Sequence, residues 1–384
     1  MNRKLRMGMI GGGKDAFIGA VHRIAARLDG LIDLCCGSFS SDPERSRESG
    51  EALFLPSARV YPDYKTMFAR EKELPLGDRM DFVSIVTPNH VHYEPAMLAL
   101  SEGFHVVVDK PMTFSLEEAL KLEAKVAQTG LLLCLTHTYS GYPMVKQARQ
   151  MVSDGLFGGI RKVYVEYLQG WLSRADDGTG KQAAWRIDPA RSGKAGAMGD
   201  IGTHAAHLAE YISGLQISKL CADLNEVVPG RILDDDGSVI LRFSNGGSGV
   251  LIATQVAAGE ENPLKIRVYG ERGGLEWAQE EPNSLIIKWL DKPTQIYRTG
   301  GPGVSEAARV HTRTPAGHPE GYLEAFANLY RDFALTLSSK IAGEPTPGPL
   351  YDFPTASDGV RGMAFIDKVV ESGKSAHKWT DFVY

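Results

Sequence analysis

Hydrophobic positions in the first third of the chain fall into short compact runs separated by longer stretches of helical spacing. Leu5–Ile10, Leu31–Cys36, Asp81–Val86, Phe104–Val108 and Leu131–Leu135 have strand length. Between them Ala16–Leu28, the stretch around Glu44–Leu53, Tyr93–Ser101 and Ser115–Gln128 place apolar residues on one helical face. Apolar strands alternating with helices predict a doubly wound parallel sheet with helices on both faces, an α/β domain over residues 1–138. Ligands of such sheets bind at the carboxyl ends of the strands.

After about Thr136 the pattern changes to period-two alternation. Arg161–Gln169, Ser238–Phe243, Ser248–Gln255 and Leu264–Tyr269 read as strands. Asn245-Gly246-Gly247 and Gly270-Glu271-Arg272-Gly273-Gly274 supply the turns between them. This predicts an α+β second domain over residues 139–384, built on an open, mostly antiparallel sheet. An open sheet face is a surface that another subunit covers, so a homo-dimer or homo-tetramer is expected. Thr299–Gly317 reads as a mobile loop and Ala342–Gly348 as a linker or surface turn. There is no internal repeat.

Composition narrows the function. A chain of 384 residues is long for a single core, which agrees with two domains. Against 47 acidic residues there are 42 basic ones, a formal charge of −5 with no basic tract, which excludes nucleic acid and anionic membranes as partners. No apolar run approaches the roughly 20 residues that span a bilayer. The basic start of the chain leads into a strand rather than a signal-peptide core. The four cysteines, Cys35, Cys36, Cys134 and Cys221, show no metal-ligand spacing, so no metal is expected. Neighbouring Cys35 and Cys36 on a strand are expected to face opposite sides. Buried free thiols fit a reducing, cytoplasmic setting.

Three strand ends carry chemistry. After Ile10, Gly11-x-Gly13-x-x-Ala16 opens a helix at Phe17, the context of a dinucleotide fingerprint in a Rossmann domain. Glycine lets the backbone approach pyrophosphate, whose charge sits on the helix N-terminus. Gly19 follows three residues after Ala16 and is the alternative third glycine if the loop carries an insertion. The second strand ends without a carboxylate at its tip; Ser40, Ser41 and Arg45 offer partners for a 2′-phosphate, so NAD and NADP both stay open. After Val86, Thr87-Pro88-Asn89-His90 is a candidate cofactor loop, or a structural turn in which Asn89 caps the next helix. After Val108 comes Asp109-Lys110-Pro111. A lysine aimed at the binding edge holds a substrate hydroxyl and assists its proton transfer.

Farther along, Gly199-Asp200-Ile201-Gly202-Thr203-His204 places an acid and an imidazole one helical turn apart, on one face. His204 is the candidate base for an alcohol proton, and Asp200 positions the substrate. Tyr142, Gln169, Trp171, Trp185, Arg186 and His318 are candidate substrate residues, because aromatic faces stack on sugar C–H groups and amides and cations bond to hydroxyls.

With these motifs in this order, the chain resembles the Gfo/Idh/MocA oxidoreductases over essentially its whole length. The resemblance implies a Rossmann domain followed by an α/β domain with an open sheet, an NAD or NADP cofactor, and oligomers. It implies that Lys110, Asp200 and His204 are the catalytic lysine, aspartate and histidine, and that the Lys110–Pro111 peptide is cis. Asp109 stands where the family usually has glutamate, and the loop after Gly13 is about three residues longer than the common pattern. Tyr167–Leu172, Trp185–Pro189 and the Gly199–His204 run look most like members that oxidise pyranosides, such as levoglucosan dehydrogenase and glycoside 3-dehydrogenases.

The leading expectation is thus an NAD(P)-dependent sugar or polyol dehydrogenase of carbohydrate metabolism, moving a hydride from a ring hydroxyl, at C3 of a pyranoside, to nicotinamide. A glycosidase that oxidises C3 transiently, eliminates, hydrates and re-reduces is the alternative. A non-catalytic sugar sensor is the third reading, and retention of Lys110, Asp200 and His204 argues against it.

Overall fold

The computed structural model describes residues 3–14, 16–175 and 188–384. Its first part runs β1 (Leu5–Gly11), α1 (Phe17–Leu28), β2 (Ile32–Ser38), α2 (Pro43–Ala52), α3 (Tyr64–Glu73), β3 (Phe82–Val86), α4 (Tyr93–Ser101), β4 (His105–Val108), α5 (Leu116–Thr129) and β5 (Leu133–Leu135). The five strands form one parallel sheet in the order β2-β1-β3-β4-β5. Every residue of β3 and β4 is buried, as a parallel sheet covered on both faces requires. Local signals set the helix ends. Ser115 and Glu118 form a capping box at the start of α5, and Gly130 closes it in the left-handed region. Helix α3 is an addition to the sequence reading; Met67 and Phe68 are its buried apolar residues, so its mostly charged sequence carries a weak periodic signal.

The chain continues through α6 (Pro143–Ser153), β6 (Ile160–Leu168), a single turn at Pro189–Ser192, α7 (Thr203–Ser213), β7 (Ile217–Asn225), β8 (Asp236–Phe243), β9 (Ser248–Thr254), β10 (Leu264–Gly270), β11 (Gly273–Ala278), β12 (Ser284–Trp289), β13 (Gln295–Arg298), α8 (Glu306–Val310), α9 (Tyr322–Ala342), α10 (Ala356–Gly373) and β14 (Thr380–Asp381). A nine-stranded sheet has the order β13-β12-β11-β10-β6-β9-β8-β7-β14. Strands β6 and β9 pair in parallel and the other neighbours antiparallel, so the sheet is open and mostly antiparallel.

Two compact units result: Met1–Thr138 with Leu323–Val360, and Tyr139–Tyr322 with Arg361–Tyr384. The chain returns to the first unit because α9 completes its core. Phe333 packs edge-on against Phe82 with ring centres 5.1 Å apart, and the Tyr330 hydroxyl lies 2.8 Å from Ser84 Oγ and 2.7 Å from His22 Nδ1. Among the described residues, no helix is long and apolar enough to cross a membrane.

Two sequence expectations need correction. Residues 299–317 are not a mobile loop throughout: Ser305 caps α8 through the Ala308 N–H, and Ala307, Ala308 and His311 are buried. Nor do Cys35 and Cys36 face apart. The pairing of β2 with β1 skips Cys35, and at this irregularity both sulfurs come within 4.8 Å of each other and of the Glu71 carboxylate. That carboxylate is already taken by Arg59, by the Tyr61 hydroxyl (2.8 Å) and by the Met80 N–H (2.9 Å). All four cysteines are free thiols; Cys36 and Cys134 are buried, Cys35 and Cys221 half-buried.

Candidate active site

In the first unit, Gly11 and Gly12 take φ values of +78° and +67°, a region that L side chains avoid. A Cβ on Gly19 would lie 2.3 Å from Gly12 Cα, so the start of α1 rests directly on the loop. Gly19, rather than Ala16, therefore fills the third glycine's packing role, and the longer loop is accommodated before it. Gly13 is held against Phe39 and Ser49, where a Cβ would meet the Phe39 carbonyl at 2.9 Å. Ala16 is the N-cap residue of α1 and supplies no side-chain cap, which leaves the first N–H groups for an anion; Phe17 beside it is exposed. Nearby, Thr87 Oγ1 is buried with no hydrogen-bond partner. A buried orphan hydroxyl at the strand edge, beside a loop that excludes side chains, fits a dinucleotide.

Ser40, Ser41 and Arg45 lie where β2 gives way to α2. Ser40 Oγ accepts from the Asp42 N–H at 3.1 Å, and the Asp42 carboxylate caps α2 through the Glu44 N–H at 3.0 Å. Its carboxylate is thus committed to the helix.

The second and third strand ends are tied together by a residue missed in the sequence. His92 sets Nδ1 2.8 Å from the Pro111 carbonyl and Nε2 2.8 Å from the Thr87 carbonyl. Burial lowers its pKa. A second histidine two residues after His90 was the available signal. Asn89 is buried in a single 3-10 turn, with Pro88 and His90 exposed beside it; Asn89 does not cap α4, whose N-cap is His92. The Lys110–Pro111 peptide is cis. Asp109 accepts from the Lys110 N–H at 2.9 Å and from Thr136 Oγ1 at 2.7 Å, and His22 Nε2 lies 3.8 Å away. Burial pushes this carboxyl up, but His22, Thr136 and Lys110 outweigh it and hold it well below the usual carboxylate range.

In the second unit, Met198–Gly202 is a π-turn that runs straight into α7. The Thr203 N–H reaches back five residues to the Met198 carbonyl, and Thr203 Oγ1 donates to the Gly199 carbonyl at 3.0 Å. Such turns widen a helix locally and recur at functional sites. Asp200 is on this turn and His204 in the first turn of α7. Gln255 Nε2 donates to Asp200 Oδ2 at 3.0 Å and lies 3.3 Å from Gln169 Oε1. Trp171 Nε1 donates to the same Gln169 oxygen at 2.8 Å. Gln169 Nε2 and the Tyr167 hydroxyl both donate to Asn262 Oδ1, at 2.7 and 2.9 Å. Tyr139 is bonded hydroxyl to hydroxyl with Tyr167, and its ring meets His204 edge-on at 4.9 Å. Burial, with a contribution from the Asp200 charge, pushes both tyrosines up, so they stay protonated donors.

Gln169 and Trp171 thus join Asp200 in one network. Tyr142 is instead fully buried against Trp277, with ring centres 5.2 Å apart. His318 is exposed, with Nδ1 3.2 Å from the Pro315 carbonyl of its own turn. Trp185 and Arg186 lie outside the described residues. Gln255, Tyr139 and Asn262 escaped sequence reasoning because strand pairing and loop packing bring them in from distant positions.

Residues 5–137 match the family model for the oxidoreductase family with an NAD-binding Rossmann fold, and residues 145–276 match the GFO/IDH/MocA C-terminal domain. The chain belongs to the Gfo/Idh/MocA oxidoreductase family. It is an NAD-binding oxidoreductase. An oxidoreductase from Sinorhizobium meliloti is 44% identical, with 99% of this chain and 100% of that one covered and a TM-score of 0.89. An inositol dehydrogenase homologue from Azotobacter vinelandii, solved with NAD+, is 34% identical over 99% and 98% of the two chains, with a TM-score of 0.94. The same homologue has been solved with NADH and myo-inositol. Levoglucosan dehydrogenase from Pseudarthrobacter phenanthrenivorans is 26% identical over 74% of this chain and 76% of its own.

Proposed function

We propose that this family member is a sugar or polyol dehydrogenase that oxidises a ring hydroxyl, at C3 of a pyranoside, to a ketone. The observation that carries this reading is the π-turn at Asp200, whose carboxylate opens a chain of amides and hydroxyls through Gln255, Gln169 and Asn262. Vicinal hydroxyls around a puckered ring are matched by such a row of donors and acceptors. The myo-inositol bound by the Azotobacter homologue and the similarity to levoglucosan dehydrogenase support the same class.

Oxidation of a secondary alcohol removes one proton from oxygen and two electrons with the carbon-bound hydrogen. In the proposed mechanism Lys110 holds the reacting hydroxyl and favours loss of its proton. His204 takes that proton, and Asp200 orients the ring. Gly11, Gly12, Gly13, Gly19, the open N-terminus of α1 and Thr87 hold the dinucleotide. Nicotinamide, when bound, supplies the two-electron acceptor. Trp171 offers its half-exposed face for stacking on the ring.

Self-association fits the second unit. Tyr164, Val250 and Ile240 stand opposite one another across three neighbouring strands, with Tyr164 36% and Ile240 44% exposed. An apolar row on an open sheet supports a homo-dimer or homo-tetramer, checked by light scattering of the eluting protein.

Absorbance of reduced nicotinamide tests the activity, with NAD and NADP offered separately across glucosides, anhydrosugars, inositols and a chromogenic glycoside. Net reduction by a sugar or polyol is expected. Chromophore release without net reduction supports the transient-oxidation glycosidase instead, and silence on both channels overturns the enzyme reading.

A further inference from the structure

We propose that Asp234 is a positioning residue for the Asp200–His204 pair. This rests on the catalytic reading of that pair. Asp234 belongs to an acid run, Asp234-Asp235-Asp236, and consecutive aspartates are mostly surface residues. The structure buries it: 6% of Asp234 and 3% of Asp235 is exposed.

One Asp234 oxygen accepts the Gly196 N–H and the other the Met198 N–H, both at 2.7 Å. Its own carbonyl accepts the Ala197 N–H at 2.7 Å. Three successive amides at the entrance of the π-turn are therefore held by one residue. The approach is so close that a Cβ on Gly196 would lie 2.1 Å from the Asp234 carbonyl oxygen. From the Gly196 carbonyl the hold passes on, since it accepts the Asp200 N–H at 2.9 Å. Asp235 fixes the other side. Its carbonyl accepts the Gln255 N–H at 2.8 Å, and Gln255 is the donor to the Asp200 carboxylate. The consecutive acids thus set both the main chain that carries Asp200 and the side chain that steadies it. A carboxylate is suited to the place because it accepts on both oxygens, whereas an amide turns an N–H2 toward one of the two N–H groups.

The test is Asp234→Asn, measured as kcat at saturating substrate per cofactor-binding site, beside cofactor Kd and thermal midpoint. Displacing a catalytic group by about 1 Å costs ~100-fold, so kcat is expected to fall by that order while cofactor Kd stays within about twofold. Leu285→Ala, a cavity on β12 toward the other end of the same sheet, is the stability control: it lowers the midpoint and keeps kcat. A folded Asp234→Asn with kcat within about threefold of the parent overturns the proposal. If that variant does not fold, Asp234→Glu decides. It keeps both acceptors but shifts them by one methylene, and a loss of about tenfold in kcat is expected, against no loss if the proposal fails. His204→Ala in the same series separates the two levels. If it keeps full activity, the catalytic reading has failed; if it is inactive while Asp234→Asn is normal, only the positioning role has.

Discussion

The phosphate-loop region and the π-turn region solve the problem of a precise site in opposite ways. Around Gly11–Gly19 the work is done by main chain and by missing side chains: two glycines at positive φ, a third packed on the second, and an uncapped helix start. Around Asp200 it is done by side chains just past the ends of β6 and β9 and in the loop before β10, linked into one hydrogen-bonded network, with Asp234 before β8 holding the main chain. The first kind of site is local and depends on a few contiguous residues. The second is assembled from positions up to about a hundred residues apart, and each member is only as well placed as its neighbours.

Substitutions sharpen this contrast. The largest effect is expected from His204→Ala or Lys110→Ala, each lowering kcat by ~100- to 10,000-fold, the usual worth of a positioned acid or base. Steady-state turnover and cofactor titration check it; His204→Ala should leave cofactor affinity unchanged. Next is Gly19→Val, whose side chain collides with Gly12. Overpacking of this kind costs ~1–3 kcal/mol, so cofactor Kd should rise by about 30-fold in a fluorescence titration. Gln255→Leu removes a donor to a charged carboxylate and should lower kcat by about tenfold with little change in cofactor Kd. Equal losses in Kd for Gln255→Leu and Gly19→Val would erase the distinction between the two regions.

The smallest effect is thermal. Burial pushes the Asp234 carboxyl up to about 6, with the Gly196 and Met198 N–H groups opposing, against an unfolded value of about 3.9. Between those values the native state keeps a proton that the unfolded chain releases. The stability from this group is therefore full below about pH 4 and lost as pH rises through about 6. The gap in thermal midpoint between the parent and Asp234→Asn should shrink by about 3 °C from pH 4 to pH 7 in calorimetry.

The parallel sheet was legible because its strands are buried on both faces and read as unbroken apolar runs. Three of its loops announced themselves at strand ends. Helix α3 was not legible, since its charged surface leaves two buried apolar residues, and the Asp63 cap alone does not mark a helix. Asp200 and His204 were visible as a spacing, but the π-turn between them was not. Its geometry is imposed by Asp234, some 34 positions downstream, through hydrogen bonds that leave no periodic trace. The same holds for Cys35, turned by an irregular pairing that depends on β1. The substrate candidates divide accordingly: Gln169 and Trp171 sit on one network, whereas Tyr142 is core and His318 surface, because aromatic or polar character alone does not say which way a side chain faces.

The most direct measurement is the fate of hydrogen carried by the sugar. A pyranoside that reduces the cofactor is prepared with deuterium at C3, and separately at C2, and the reduced nicotinamide is examined by NMR. Deuterium arriving on the nicotinamide ring from C3 alone, with slowed turnover, is the predicted result. Transfer from C2, or reduced nicotinamide without label from either position, would contradict oxidation at C3.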